Sequence, residues 1–173
     1  MDVVARAAAA LRALGWVHEP AAPAPNAVPD VLRAFPPVQH VWASSFSRLS
    51  SPDDTVWFLA LDDYTDAADT AFAWNEFETI GRDAAMSDDD AAAVSEFWRC
   101  HCPILQSVGD GYAYLAIGLD GAIVHGVEPE FEATTTVADS LVGLLEQIAR
   151  PTGPRHAVVE TLLFRPGRTG SQG

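Results

Sequence analysis

The sequence contains no lysine. Its ten basic residues are all arginine and are set against 24 acidic residues, which gives a formal net charge of -14. A field of this sign repels nucleic acid and anionic membranes, so we expect neither as a partner. It attracts basic proteins and cations instead. Acidity also keeps proteins soluble, and the charge by itself therefore leaves both interpretations open.

Cysteine is nearly absent, since the chain has only Cys100 and Cys102. Two thiols that are one residue apart cannot form a disulfide framework, and free thiols fit a reducing compartment. Structural zinc sites need a second pair of ligands elsewhere in the chain, and no second cysteine pair accompanies the stretch Cys100-His101-Cys102. We therefore expect buried cysteine here rather than a metal site.

Long apolar runs are missing as well, because none approaches the roughly 18 residues needed to span a bilayer. Residues 1–16 have Asp2 where a signal peptide carries basic residues, and Arg12 interrupts their apolar run. We expect a cytoplasmic protein. With 173 residues, the chain is predicted to form one domain over residues 1–165, followed by a flexible tail at 166–173.

Signatures of catalysis and of cofactor binding are also lacking. Strands are predicted after the glycines at 109–111 and 118–121, whereas a phosphate-binding loop leads into a helix. None of the five histidines lies in a motif that pairs it with a nucleophile. We predict no catalytic residues and no cofactor. A small hydrolase that uses paired carboxylates stays as the weaker alternative, because Asp and Glu are abundant.

Helical and strand patterns are clear in parts of the first half. Residues 3–16 have the apolar spacing of a helix. Six prolines between Pro20 and Pro37 predict a connector over residues 20–37, because proline at this density fits neither a helix nor a central strand. We expect this connector to be extended up to residue 30 and to form one short helical turn at 31–35. Residues 38–49 alternate loosely and residues 55–61 are rich in β-branched and aromatic side chains, so both are interpreted as strands joined by a turn at 51–54.

In the second half, Ser87 followed by three aspartates predicts the start of a helix. Residues 112–119 alternate as a strand does, and Asp120-Gly121 is typical of a two-residue type I′ hairpin turn, which would place Leu119 opposite Ala122. Thr136 and Asp139 form a capping-box pattern ahead of an amphipathic helix that ends near residue 149.

Five segments, in order along the chain, resemble the SUKH superfamily, named for a fungal cell-wall-synthesis regulator and a killer-toxin-resistance protein. They are WFLALDDY (57–64), FAWNEFE (72–78), FWRCHCPIL (97–105), GDGYAYLAIGLDGAIVHGVEPEFE (109–132) and VADSLVGLLEQI (137–148). The resemblance implies an α+β fold, with a single curved, mainly antiparallel sheet and helices packed against it. Residues 1–54 depart from the family pattern, because the proline-rich connector replaces its opening.

Bacterial members of this superfamily are typically immunity proteins of contact-dependent and polymorphic toxin systems. The resemblance therefore implies a non-catalytic protein that binds and neutralises a cognate toxin. Many such toxins are nucleases, whose basic surface for phosphate would fit an acidic partner. A regulatory protein-binding scaffold unconnected with toxins, as the fungal relatives suggest, is the alternative.

The candidate contact residues come from one acidic stretch of the sequence. Between Asp53 and Asp139 there are 19 acidic residues and only two arginines. Aromatic anchors often dominate the affinity of an interface, so aromatic residues of the same stretch are candidates too. The acidic candidates are Asp62, Asp63, Asp66, Asp69, Glu76, Glu78, Glu128, Glu130 and Glu132, and the aromatic ones are Trp74, Tyr112, Tyr114 and Phe131.

Overall fold

A computed structural model describes residues 2–23, 27–65 and 72–165. Within these ranges the chain forms an open, curved sheet of seven antiparallel strands with helices packed against it, so the predicted α+β fold is confirmed. The spatial order of the strands is their order in the chain. They are β1 (Val17–Pro20), β2 (Phe46–Ser50), β3 (Val56–Phe58), β4 (His101–Ser107), β5 (Ala113–Gly118), β6 (Ile123–Val127) and β7 (Thr135–Ala138).

Six α-helices belong to the described part of the chain: α1 (Val3–Ala13), α2 (Pro37–Ala43), α3 (Glu76–Asp83), α4 (Asp88–Cys100), α5 (Leu141–Ala149) and α6 (Ala157–Val159). The last continues into a π-helical turn, Glu160–Phe164. Two short 3₁₀ helices lie at Asp30–Ala34 and Leu61–Tyr64. No helix among the described residues combines the length and the apolar character that crossing a bilayer requires.

The larger hydrophobic core lies on the face of the sheet that α1, α2, α5 and α6 cover. Trp42 of α2 is fully buried there, and its ring meets Phe46 and Phe58 edge-on, with centroids 5.2 and 5.1 Å away. Trp16 follows α1 and donates its indole N–H to the Leu163 carbonyl, 3.2 Å away. This bond joins the two ends of the described chain within one core.

The second, smaller core lies on the opposite face of the sheet, under α3 and α4. Its buried residues come from both helices, from β5 and β6, and from the loop after β6. Leu115 and Ile117 of β5 pack into the larger core, whereas Tyr114 and Ala116 pack into the smaller one. Alternate side chains of a strand point to opposite faces, so β5 is buried on both sides. The buried residues of the smaller core are Phe77, Trp98, Tyr114, Ala116, Val124 and Phe131.

The prediction of a strand over residues 38–49 is wrong in its first half. Residues Pro37–Ala43 form α2, and only Phe46–Ser50 pairs as a strand. Pro37 suits the first turn of a helix, where its missing N–H leaves no hydrogen bond unmade. The turn at 51–54 is confirmed, because the Asp54 N–H donates to the Ser51 carbonyl at 2.9 Å.

The hairpin at Asp120-Gly121 forms, but its register differs by one residue from the predicted type I′ turn. Gly118 N–H donates to Ala122 O, and Ile117 pairs with Ile123 rather than with Val124. Only Gly121 has a positive φ, +88°, so three residues connect the strands and the glycine occupies the left-handed position. Leu119 is consequently exposed at the tip of the hairpin.

The predicted capping box at Thr136 is wrong as well. Thr136 lies in β7, and α5 begins at Leu141. Ser140 caps this helix, since its Oγ accepts a hydrogen bond from the Gly143 N–H at 3.0 Å. The Ser87 cap is confirmed, because its Oγ accepts from the Asp90 N–H at 3.1 Å.

Replacing Gly121 by valine tests the hairpin geometry. A β-branched side chain resists positive φ, so Gly121→Val should lower the free energy of unfolding by about 1 kcal/mol or more. Gly121→Asn should lose less, because asparagine tolerates the left-handed region. Chemical denaturation of the three proteins measures the difference. Equal stability of Gly121→Val and the parent protein would contradict this turn.

The two candidate caps of α5 can be separated by alanine substitution. Ser140→Ala should reduce the free energy of unfolding by about 1 kcal/mol, because the Gly143 N–H loses its acceptor. Thr136→Ala changes an exposed strand residue and should stay within about 0.5 kcal/mol of the parent. A larger loss for Thr136→Ala than for Ser140→Ala in urea titrations would restore the capping box predicted from sequence.

Candidate functional site

The candidate site is the layer on one face of the sheet formed by residues 72–100, which include α3 and α4, together with the loop 128–132. We call it the acidic layer. It carries ten carboxylates and two arginines. The helical layer on the opposite face, formed by residues 2–16, 27–45 and 139–165, carries five carboxylates and six arginines. The acidic layer therefore has a net charge of -8, whereas the helical layer on the opposite face has a net charge of +1.

Aromatic packing fixes the two parts of the acidic layer to each other. The Phe131 ring of the loop lies against the Phe77 ring of α3, with a centroid distance of 4.8 Å. The Tyr114 hydroxyl, fully buried on β5, donates to the Phe131 carbonyl. Trp98 of α4 completes the cluster, 4.8 Å from the Tyr114 ring. The carboxylates thus stand on a packed base rather than on free loops.

The segment before α3 is attached to the sheet through Gln106 of β4. The buried Gln106 amide Nε2 donates to the carbonyls of Ala73 and Trp74, each 3.2 Å away. Trp74 is half-buried and its ring lies 6.2 Å from that of Tyr64. These contacts orient the start of α3, where Glu76 and Glu78 lie in the first turn.

The structure places five of the predicted acidic residues in α3 and in the loop that packs against it. Glu76 and Glu78 belong to α3, and the loop with Glu128, Glu130 and Glu132 adjoins that helix through the contact between Phe77 and Phe131. Glu128 and Glu130 are exposed, and Glu76, Glu78 and Glu132 are half-buried.

One of the loop carboxylates is hydrogen-bonded inside the protein, and another is partly buried. Glu128 Oε1 accepts a hydrogen bond from the Tyr112 N–H at 3.0 Å. Glu132 Oε1 is buried and has no hydrogen-bond partner among the described residues. Of the three loop glutamates, Glu130 is therefore the one that is exposed and whose carboxylate makes no hydrogen bond to the described residues.

Asp62 and Asp63 lie apart from this group, in the 3₁₀ helix Leu61–Tyr64. Asp62 is exposed, but Asp63 is half-buried and its Oδ2 accepts from the Ala60 N–H at 2.7 Å. Burial raises the pKa of the Asp63 carboxyl above its usual value. Asp63 therefore helps to shape its own turn. Asp66 and Asp69 lie outside the described residues.

The aromatic candidates divide into two groups. Tyr112 is 36% exposed and Trp74 is half-buried, so part of each side chain can reach a partner. Tyr114 and Phe131 are buried in the smaller core. Burial raises the pKa of the Tyr114 hydroxyl above its usual value. These two residues support the acidic layer from below and do not present their side chains to a partner.

Sequence reasoning gave no role to Met86, which is 94% exposed between α3 and α4. Asp83 at the end of α3 and Asp88 at the start of α4 flank it, and both are exposed. A large apolar side chain that is surrounded by carboxylates is a natural contact for a partner with a basic, partly apolar surface. No apolar periodicity marks this residue, because it lies in the turn between two helices.

Three polar side chains outside the acidic candidates have structural roles. Burial raises the pKa of the Cys102 thiol to about 12, so this cysteine is protonated and unreactive at neutral pH. The Tyr64 hydroxyl accepts from the Gln39 amide at 2.7 Å and donates to the Pro103 carbonyl at 2.6 Å. The His101 ring stacks on Phe97, with a centroid distance of 4.1 Å. Among the described residues no group of three or more His, Cys, Asp or Glu is arranged to hold a metal ion.

Comparison of the chain with protein-family models, curated proteins and solved structures gives no significant match.

The support that Tyr114 gives to the acidic layer can be tested by removing its hydroxyl. Tyr114→Phe leaves the buried Phe131 carbonyl without its donor and should lower the free energy of unfolding by about 1 kcal/mol or more. Tyr112→Phe is the matched control, because the Tyr112 hydroxyl makes no hydrogen bond to the described residues. Thermal or urea unfolding measures both. Equal losses in the two variants would contradict the support role.

Proposed function

We propose that this chain is a non-catalytic binding protein that recognises a basic partner protein through the acidic layer. Its resemblance to the SUKH superfamily makes the partner a toxin, which the chain would neutralise as a cytoplasmic immunity protein. The observation that carries the proposal is the separation of charge between the two faces of the sheet. An acidity that served solubility alone would not need to be concentrated on one face.

The physical basis is electrostatic steering. Exposed carboxylates on one face raise the rate at which an oppositely charged protein arrives in the correct orientation. The packed aromatic base keeps these charges in place before the partner arrives, which reduces the ordering that binding requires. A nuclease toxin fits this description because its substrate site must be basic to hold phosphate.

A charge-matched pair of variants tests the surface. Asp83→Lys with Glu130→Lys reverses two exposed charges in the acidic layer. Asp30→Lys with Glu146→Lys changes the net charge equally, but on the opposite side of the sheet. The control variant breaks two exposed ion pairs, Asp30 with Arg33 at 3.2 Å and Glu146 with Arg6 at 3.9 Å. Exposed pairs of this kind contribute little to stability.

Where a toxin domain is encoded beside this chain's gene, binding should be measured against that domain. In 50 mM salt the Debye length is about 14 Å, so exposed charges still act over some distance. Under this condition the acidic-layer variant should associate about tenfold more slowly than the parent, whereas its dissociation rate should change less. The control should stay close to the parent. Rising salt should slow the parent's association and reduce the difference between the variants.

Two results would count against the proposal. Equal slowing by both variants would show that net charge, and not the acidic layer, governs association. A gene neighbourhood without any toxin would favour the regulatory scaffold, for which the same acidic layer would serve a different basic partner.

A further inference from the structure

A cleft of about 710 Å³ lies beside α6, with its floor on the face of the sheet opposite α3 and α4. Its floor is a row of directly paired residues that crosses four strands. Val56 of β3 pairs with Ser107 of β4, Ser107 with Ala113 of β5, and Ala113 with Val127 of β6. All four line the cleft. Ser107 and Ala113 at the centre of the row have small side chains, and larger side chains there would fill the cleft.

One wall of the cleft is apolar. Ala157 and Val158 of α6 and Leu162 of the π-helical turn face the floor. Together with Val56 and Val127 they offer a surface that would bury a short hydrocarbon chain. A volume of this size is within the usual range for small-molecule sites.

The rim carries three carboxylates from three separate parts of the chain. Asp53 comes from the turn before β3, Asp110 from the loop before β5, and Glu128 from the end of β6. Asp53 Oδ1 accepts from the Ser51 and Thr55 hydroxyls, at 2.6 and 2.9 Å. These bonds lower the pKa of the Asp53 carboxyl, so it is ionised at neutral pH.

The two carboxylates with described contacts are held by one oxygen each. Glu128 Oε1 accepts a hydrogen bond from the Tyr112 N–H at 3.0 Å, and Asp53 Oδ1 accepts from the Ser51 and Thr55 hydroxyls. Their second oxygens make no hydrogen bond to the described residues. The rim therefore presents carboxylates that are held in place by one oxygen and can accept further hydrogen bonds through the other.

The positive groups at the cleft do not balance this charge. Arg165 is the one arginine among the described lining residues, and its Nε lies 3.5 Å from Glu160 Oε1. His125 also lines the cleft. Burial, and then the nearby His156, lowers the pKa of His125, so its ring is neutral at pH 7.

We infer that this cleft binds an organic cation that has an apolar chain, the chemistry of an arginine or lysine side chain. The cationic group would meet the carboxylates of Asp53, Asp110 and Glu128, and the chain would lie between the strand floor and α6. Such a cation can belong to a free small molecule or to a partner protein. The floor and α6 lie on the other face of the sheet from α3 and α4, and Glu128 belongs both to the rim of the cleft and to the acidic layer. The inference does not rest on the proposed function.

A titration with isosteric probes tests the inference. Nα-acetyl-arginine methylamide and Nα-acetyl-citrulline methylamide have nearly the same shape, but only the first has a positive charge. In amide NMR spectra of the full chain, the arginine probe should shift the resonances of Ala113, Val127 and Val158. The citrulline probe should bind at least about tenfold more weakly, because it loses the charge-assisted hydrogen bonds.

Variants then place the probe in the cleft. Asp110→Asn with Glu128→Gln keeps the size of both side chains and should weaken the arginine probe by about tenfold or more. Asp89→Asn, in the acidic layer, is the matched control and should leave binding unchanged. Ala113→Phe should abolish binding by filling the floor. The dispersion of the same spectra shows that each variant is folded.

A third probe, agmatine, identifies the source of the cation. Equal affinity for agmatine and for the arginine probe points to a free small molecule, whereas tighter binding of the arginine probe points to a protein segment. The inference is overturned if the cleft resonances do not move at millimolar arginine probe. It is also overturned if citrulline binds equally well, or if Asp110→Asn with Glu128→Gln weakens binding no more than Asp89→Asn.

Discussion

The burial of β5 on both of its faces is the constraint on which the rest of the structure depends. Leu115 and Ile117 point to one side and Tyr114 and Ala116 to the other, and all four are fully buried. A strand of this kind needs a covering layer on each side of the sheet. The chain supplies one layer before β2 and after β7. It supplies the other between β3 and β4, together with the loop 128–132 between β6 and β7. Each layer therefore comes from different stretches of sequence, and each can carry its own charge.

The two layers differ in size, and this difference bears on where the acidity lies. The smaller core has six buried residues, mostly aromatic, and α3 and α4 contribute only Phe77 and Trp98 to it. Helices with little apolar area to bury have most of their surface in solvent, where carboxylates are easily accommodated. Three of these carboxylates, Asp88, Asp89 and Asp90, also suit the positive end of α4. Local helix stability and the charge of the face thus favour the same residues.

Much of the fold could be predicted from the sequence, and the errors have local physical causes. The hairpin at Asp120-Gly121 was predicted correctly. Leu119 continues the apolar alternation of β5 and was therefore placed in the strand, but its side chain is exposed in the turn. Loose alternation after Pro37 was interpreted as a strand, although these residues form α2. Trp42 did not distinguish the two, because its position fits the apolar pattern of a strand as well as that of a helix. The abundance of acidic residues was visible in the sequence, but their separation between two faces was not. The cleft could not be predicted, because Asp53, Asp110 and Glu128 are far apart in the sequence and line one cleft only through strand pairing.

The position of the loop 128–132 follows from one close contact between backbone and side chain. A Cβ atom on Gly126 would collide with the Tyr114 ring, so glycine is needed in the middle of β6 for that ring to lie flat over the strand. Tyr114 in that position holds the Phe131 carbonyl, and Phe131 in turn packs on Phe77. The same loop begins at Glu128, on the rim of the cleft. A single glycine therefore fixes the segment that borders both candidate binding surfaces, and each surface is formed before any partner arrives.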